Sequence, residues 1–272
     1  MKIIVIGGTG LIGSKVVTKL RDAGREAVAA SPRLGVNTIT GQGLAKVLTG
    51  ASVVVDLTNT PSFDGDAALA FFEKSTRNLI AAESAAGVQH HVALSVVGAA
   101  RLAAYGYIRA KFAQEELVKG GSIPYSIIEA TQFFETVQRI ADEAIDGGTV
   151  RVPPVLVQPI AADDVAGELC KVSAGPPING TIEIAGPEVF HLDELVRRRL
   201  IARHGSRKVV ADAQALFLGA EVDDRSLLPG AGAHLAETRF DDWLARSVER
   251  GYARLRPPAP STGDGPSAAM LE

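Results

Sequence analysis

The chain opens with an apolar run, Ile3-Ile4-Val5-Ile6, that passes directly into Gly7-Gly8-Thr9-Gly10-Leu11-Ile12-Gly13. No other stretch restricts the fold as strongly. A buried strand that turns through closely spaced glycines into a helix gathers unpaired backbone N–H groups and the positive end of a helix dipole at one point. Such a point suits a pyrophosphate. Gly7 is placed to make the tight turn off the strand, Gly10 to let backbone approach a phosphate with no Cβ in the way, and Gly13 to let the helix pack close to the strand. Two spacings are met at once: Gly8, Gly10 and Gly13 give G-x-G-x-x-G, while Gly7, Gly10 and Gly13 give G-x-x-G-x-x-G. Thr9, Leu11 and Ile12 lie between the glycines and count with them as cofactor-binding positions.

Because the chain has 28 glycines, some fall close together by chance, and the neighbouring sequence decides. Ile12, Val16, Val17, Leu20 and Ala23 recur at helical spacing, with Gly24 placed to end the helix. A second strand, Glu26 to Ala30, follows at once. The pattern continues through a short strand at 37–40, a helix at 42–48 and a strand at 52–57, whose Val53-Val54-Val55 suits a strand covered on both faces. Next come a helix over 66–86 ending at Gly87, a strand at 91–95, a helix over 105–119 and a strand at 125–129. Six alternating units predict an α/β chain with a doubly wound parallel Rossmann sheet and right-handed crossovers.

Beyond residue 130 the rhythm changes, with helices expected at 133–145, 163–172, 192–203 and 240–248, and short strands near Val150, Val157 and 181–185. The division predicted is a dinucleotide-binding domain over 1–130, a smaller α/β substrate region over 131–252 interleaved with it, and a disordered Pro/Gly/Ser-rich tail over 253–272. A substrate region of this kind sits over the carboxyl ends of the strands.

Composition narrows the function class. A net charge of −3 with no dense Lys/Arg cluster argues against a nucleic-acid groove or an anionic membrane surface. The single cysteine, Cys170, excludes an intramolecular disulfide and a cysteine-based zinc site. No metal site is expected, and with no signal-like or membrane-length apolar segment the chain reads as cytoplasmic.

Tyr107 and Lys111 lie four apart on a predicted helix, so both project from one face, and Ser95 ends the strand before it. A phenol is a weak acid at neutral pH, but a neighbouring ammonium favours its ionised form. The set suits carbonyl reduction, with Tyr107 protonating a developing alkoxide and Ser95 holding the substrate oxygen. The structural alternative is a helix-face tyrosine and a solvated lysine.

The glycine motif, Ser95, Tyr107-x-x-x-Lys111, the segment Ala130-Thr-Gln-Phe-Phe-Glu135 and the run Gln158-Pro-Ile-Ala-Ala-Asp-Asp-Val165 resemble the atypical short-chain dehydrogenase/reductases, and in particular their NmrA-like branch. The resemblance implies Ser95 as oxygen stabiliser, Tyr107 as proton donor and Lys111 as ribose ligand. It also admits cofactor-sensing regulators that do no chemistry.

The second strand ends in Ala30-Ser31-Pro32-Arg33, with no carboxylate to take ribose hydroxyls and repel a 2′-phosphate. Ser31 can donate to a phosphate and Arg33 can pair with it, so NADP(H) is expected over NAD(H). Thr58 and Asn59, just past the strand at 52–57, are either ribose or adenine contacts or a polar turn. Gln132, Phe133 and Phe134 follow the strand at 125–129, where a substrate contact and an apolar wall are expected, with a plain core role as the alternative for the two rings. His90 and His91 belong at the far edge of the sheet in packing or surface roles, and Asp163-Asp164 reads as a helix cap. The expected activity is NADPH-dependent hydride transfer to a small or medium apolar carbonyl or quinone-like acceptor. A non-catalytic redox sensor, or an epimerase or isomerase with tightly held cofactor, is the alternative.

Overall fold

The computed structural model describes residues 1–62, 64–103, 105–203, 207–217 and 219–255. Its first apolar run forms β1 (Lys2–Ile6), in which Ile3, Ile4 and Val5 have no exposed surface. Alternation then runs through α1 (Leu11–Asp22), β2 (Glu26–Ala30), α2 (Leu44–Leu48), β3 (Val53–Asp56), α3 (Gly65–Ala86), β4 (His90–Val96), α4 (Gly106–Lys119) and β5 (Tyr125–Ala130). After it come α5 (Val137–Glu143), β6 (Ile145–Asp146), β7 (Thr149–Val152), β8 (Leu156–Val157), α6 (Ala162–Ala174) and β9 (Gly180–Ala185). The chain finishes with β10 (Phe190–His191), α7 (Leu192–Ile201), β11 (Val209–Ala211), β12 (His234–Leu235) and α8 (Phe240–Leu255).

Seven strands make one parallel sheet in the order β12-β9-β5-β4-β3-β1-β2. The order reverses between β1 and β3, and a crevice opens there at the carboxyl ends, where open α/β sheets bind ligands. One face is covered by α1 and α6, which share a core with Val5, Val55, Val92 and Ile128. The other face is covered by α2, α3 and α4. Because every interior strand is covered twice, the sequence of β1 and β3 is continuously apolar instead of alternating.

Several expectations are corrected. Residues 37–40 form a turn, not a strand, because Asn37 Oδ1 accepts from the Ile39 and Thr40 N–H groups and so replaces ladder bonds. The helix expected at 133–145 is a single 3-10 turn (Phe134–Thr136) and a short α5, and residues 145–146 pair in a small three-stranded sheet with β7 and β11. β9 and α6 lie within the 131–252 region expected to interleave with the first domain, and they complete the main sheet and one of its helical layers. α8 runs to Leu255, and residues 256–272 of the expected tail lie outside the described residues.

The remaining C-terminal elements form a second core. Phe134 meets Phe240 at 5.2 Å and Trp243 at 5.4 Å between ring centroids, fastening α8 beneath α5 and α7. Glu135 ties the two cores together: its carboxylate accepts from Trp243 Nε1 at 3.1 Å and from the first N–H of α6, Ala162, at 3.1 Å. The α6 cap is therefore Glu135. Asp163 instead pairs with Lys19 and Lys15 of α1, and Asp164 accepts from Thr238.

Candidate active site

The glycine turn lies at the crevice and shows how closely it must pack. Gly7 has φ +72°, and a Cβ on it would lie 2.5 Å from the Leu57 carbonyl oxygen. A Cβ on Gly13 would press into the Gly7 carbonyl and stand 2.7 Å from Gly8 Cα. Gly8 faces β2, its N–H donating to the Ala30 carbonyl at 3.1 Å, and a Cβ on it would stand 2.8 Å from Ala29. Of the two spacings, Gly7-x-x-Gly10-x-x-Gly13 is thus the one that faces the cleft. Gly10 caps α1 without any side-chain bond, which leaves the first N–H groups of that helix for an anion. Tight backbone and open donors are what a dinucleotide pyrophosphate requires, so the residues fit that group.

From this turn a cleft of about 400 Å³ extends across the carboxyl ends of β3, β4 and β5. Leu11, Ile12, Thr58, Asn59, Tyr107 and Lys111 line it on one side. Tyr107 and Lys111 do share a face of α4, and both pack on Phe72 of α3. The Lys111 ammonium lies 4.6 Å from the Phe72 ring centroid, and the Tyr107 ring meets that ring edge-on at 5.9 Å. The Tyr107 hydroxyl donates to Asn59 Oδ1 at 3.1 Å. Lys111 donates to the Leu94 carbonyl at 2.8 Å and to Gln114 Oε1, while Gln114 Nε2 donates to Asp56 Oδ2 at 2.9 Å. The other Asp56 oxygen accepts from the N–H and hydroxyl of Thr58. A buried chain of polar groups therefore runs from the loop after β3 to the ammonium under the cleft.

Electrostatics here differ from the sequence expectation. Burial pushes the Tyr107 phenol up to about 12, against the positive charge of Arg139, so the phenol is kept protonated instead of being ionised by Lys111. Burial likewise pulls the Lys111 ammonium down to about 8, against the attraction of Asp56 and Glu115.

Ser95 lines the cleft at the end of β4. Its hydroxyl is buried and donates to Glu115 Oε1 at 2.5 Å, so the proton that would stabilise a substrate oxygen is already committed to a carboxylate. The positions after it, Val96 and Val97, line the cleft with apolar side chains. Phe134 is also corrected, since it is 1% exposed and belongs to the second core. Phe133 does line the cleft, as does Gln132, whose buried Oε1 makes no hydrogen bond within the chain. Ser31 and Arg33 stand at the end of β2, outside the cleft proper. Ser31 Oγ is buried without a hydrogen-bond partner, and Arg33 is exposed on the turn that follows. His90 and His91 are both buried packing residues, bonded to Ser126 and Glu83 at 2.8 Å each.

Sequence reasoning missed Asn59 as the partner of Tyr107, Gln114 and Asp56 as the supports of Lys111, and Arg139 on the cleft wall. Only Gln114, three residues beyond Lys111 on one helix, carried a local signal. Among the described residues no group of three or more His, Cys, Asp or Glu could hold a metal ion, and no helix is long and apolar enough to cross a membrane.

No family model matches the chain. It is 28% identical over 207 residues to a (4-alkanoyl-5-oxo-2,5-dihydrofuran-3-yl)methyl phosphate reductase from Streptomyces griseus, covering 69% of each chain. Among solved structures it is similar to MoeE5 in complex with UDP-glucose and NAD, with TM-score 0.70 and 18% identity over 94% of this chain and 100% of that one. A short-chain dehydrogenase/reductase superfamily protein from Agrobacterium tumefaciens with bound NAD gives TM-score 0.68 and 18% identity over 94% and 98% of the two chains. A dTDP-4-dehydrorhamnose reductase from Bacillus anthracis in complex with NADP gives 0.67 and 15% over 93% and 99%. The chain shares with these structures the doubly wound α/β fold built on one parallel sheet.

Proposed function

We propose that this chain is an NADPH-preferring reductase acting on a small or medium carbonyl compound or a quinone-like acceptor. One observation carries the reading: a glycine turn fitted to a pyrophosphate and a protonated, hydrogen-bonded phenol open onto the same largely apolar cleft. When bound there, the reduced nicotinamide supplies the hydride. Tyr107 holds its proton at neutral pH and gives it to the oxygen of the reduced carbonyl, while Asn59 fixes the direction of the hydroxyl. Arg139 favours the phenolate left behind. Lys111, anchored by Leu94 and Gln114, keeps one ammonium proton for a ribose hydroxyl. Ser95 lines the same cleft with its hydroxyl proton given to Glu115, which supports a positioning role for it.

Preference for NADPH is supported by the end of β2, where no carboxylate stands and where Ser31 and Arg33 offer a hydroxyl and a guanidinium. The reductase class is supported by the Streptomyces relative. Solved neighbours that include an NAD-dependent NDP-hexosamine 5,6-dehydratase support a second reading, in which the cofactor is returned to its starting state within one turnover.

The test is NADPH absorbance followed against a panel of ketones, aldehydes and quinones. Net consumption is expected, with Tyr107→Phe losing at least about 100-fold in kcat at unchanged cofactor affinity. Arg33→Ala is expected to weaken NADPH about tenfold and NADH hardly at all. Turnover without net NADPH loss favours the second reading, and equal losses for both cofactors remove the phosphate-pairing role of Arg33.

A further inference from the structure

Two buried side chains beneath the cleft bear on it only through Lys111. Asp56 ends β3 and Gln114 stands one turn beyond Lys111 on α4; each is 1% exposed, and neither is among the residues that line the cleft. One Asp56 oxygen is occupied by the N–H and hydroxyl of Thr58, which leaves the other for Gln114 Nε2 at 2.9 Å. The Gln114 amide is asymmetric, a donor at one end and an acceptor at the other. Between a carboxylate that accepts and an ammonium that only donates, it fits in one orientation, with Nε2 on Asp56 and Oε1 on Lys111. The Leu94 carbonyl accepts a second ammonium proton at 2.8 Å, and the Phe72 ring covers the group at 4.6 Å.

A buried ammonium is costly without opposite charge nearby. Burial already brings Lys111 down to about 8, and the carboxylates of Asp56 and Glu115 hold it against a further fall. The two are not equivalent. Glu115 takes the Ser95 hydroxyl and the Lys119 ammonium, the latter at 3.3 Å, so it has partners of its own. Asp56 is joined to Lys111 by hydrogen bonds through a single amide. Glu83 of α3 and His91 of β4 also feel the Asp56 charge, but they are bonded to each other at 2.8 Å. Toward Lys111 itself α3 presents the Phe72 ring, and the Tyr107 phenol on α4 is protonated, so neither brings a charge.

We propose that Asp56 is a positioning residue: through the Gln114 amide it keeps Lys111 charged and turned toward the cofactor ribose. The inference rests on the ribose role given to Lys111 in the reductase reading, but it is a binding property and can be measured without turnover. NADPH affinity then follows the Lys111 charge, which is present below about pH 8 and lost as pH rises through that value.

The experiment titrates the full chain with NADPH by calorimetry from about pH 6.5 to about pH 9.5. The parent is expected to lose about tenfold or more in affinity across a midpoint near 8. Asp56→Asn keeps the size of the side chain and removes its charge, and should move that midpoint down by about one pH unit or more. Gln114→Leu leaves the carboxylate but cuts the link, and should move the midpoint the same way by less. In Lys111→Met the step should vanish, and adding Asp56→Asn to it should change affinity by less than about twofold. Melting curves show which variants are folded, and Gln114→Leu carries the test if Asp56→Asn is not. A parent without the step, or a midpoint that stays in place in the folded variants, overturns the proposal. So does affinity lowered by one factor at every pH, which is what a merely structural role gives, or an equal loss from Asp56→Asn with and without Lys111. NADPH oxidation in the carbonyl panel reports separately on the reductase reading. A shifted midpoint without oxidation upholds Asp56 and removes that reading, and oxidation without a shift does the reverse.

Discussion

Gly13→Ala separates the demands of the fold from those of the cofactor. The added methyl would stand 2.7 Å from Gly8 Cα and 2.8 Å from the Gly7 carbonyl carbon, where unstrained carbon contacts need about 3.5–4 Å. All the atoms it meets are backbone, so no side chain can swing aside, and the turn must retreat by roughly 1 Å. Overpacking of this kind costs about 1–3 kcal/mol, and the better helix propensity of alanine returns about 1 kcal/mol, leaving a net loss of at most about 2 kcal/mol. Cofactor binding should suffer more. A shift of that size breaks one or two hydrogen bonds to a charged pyrophosphate, each contributing about 1.5–3 kcal/mol, which corresponds to roughly 100-fold in Kd. Gly24→Ala is the control: its φ of +71° strains an alanine, but nothing lies within 4 Å and it stands at the far end of α1. It should cost about 1 kcal/mol of stability and leave affinity unchanged. Calorimetric titration with NADPH, alongside melting curves, reads both quantities. If Gly13→Ala binds within about threefold of the parent, or if Gly24→Ala loses as much, the turn is not the pyrophosphate site.

Two further outcomes follow from buried groups beside the cleft. Ser95→Ala leaves the Glu115 carboxylate short of its hydroxyl donor and should lower stability by about 1–3 kcal/mol while kcat/KM stays within about threefold; a large loss of kcat at unchanged stability would restore Ser95 to the chemistry. Burial, reinforced by Glu115 and Glu183, pushes the Glu129 carboxyl up from 4.5 to about 7. Its folded pKa lies above the unfolded one, so its stabilisation is complete below pH 4.5 and is lost as pH rises through about 7. Glu129→Gln should therefore raise stability, read from melting curves, by about 1 kcal/mol over the parent at about pH 8 once solvent screening is allowed for, and hardly at about pH 5. A difference independent of pH would show that the carboxyl is not the titrating group.

The first half of the fold was legible because twice-covered parallel strands are continuous apolar runs and the crossover helices carry their own stop signals. Gly24 and Gly87, both in the left-handed region, end α1 and α3 where expected. β9 was recognised as a strand, yet its place beside β5 was not, since pairing across about fifty residues leaves no local mark. The same holds for the site. The spacing of Gly7, Gly10 and Gly13 is read directly from the chain, and so is the shared face of Tyr107 and Lys111. The direction of the Ser95 hydroxyl depends on Glu115, which a separate helix brings to the sheet, and the partner of Tyr107 comes from 48 residues earlier. Asp163 illustrates a local signal overridden: an acidic residue in the first turn of α6 suits a cap, but two lysines of α1 lie closer to its carboxylate, and Glu135 supplies the cap from another segment.

The reaction proposed for the cleft is hydride transfer from a nicotinamide held at the glycine turn to a carbonyl beside Tyr107. NADPH carrying deuterium at the transferable position of its nicotinamide, incubated with a carbonyl compound that the absorbance screen selects, tests it most directly. Deuterium is expected on the new carbinol carbon, in step with the cofactor oxidised, and none in a Tyr107→Phe reaction run for the same time. Deuterium retained on the cofactor while the substrate is converted, or bound NADPH that is never oxidised by any acceptor, would contradict it.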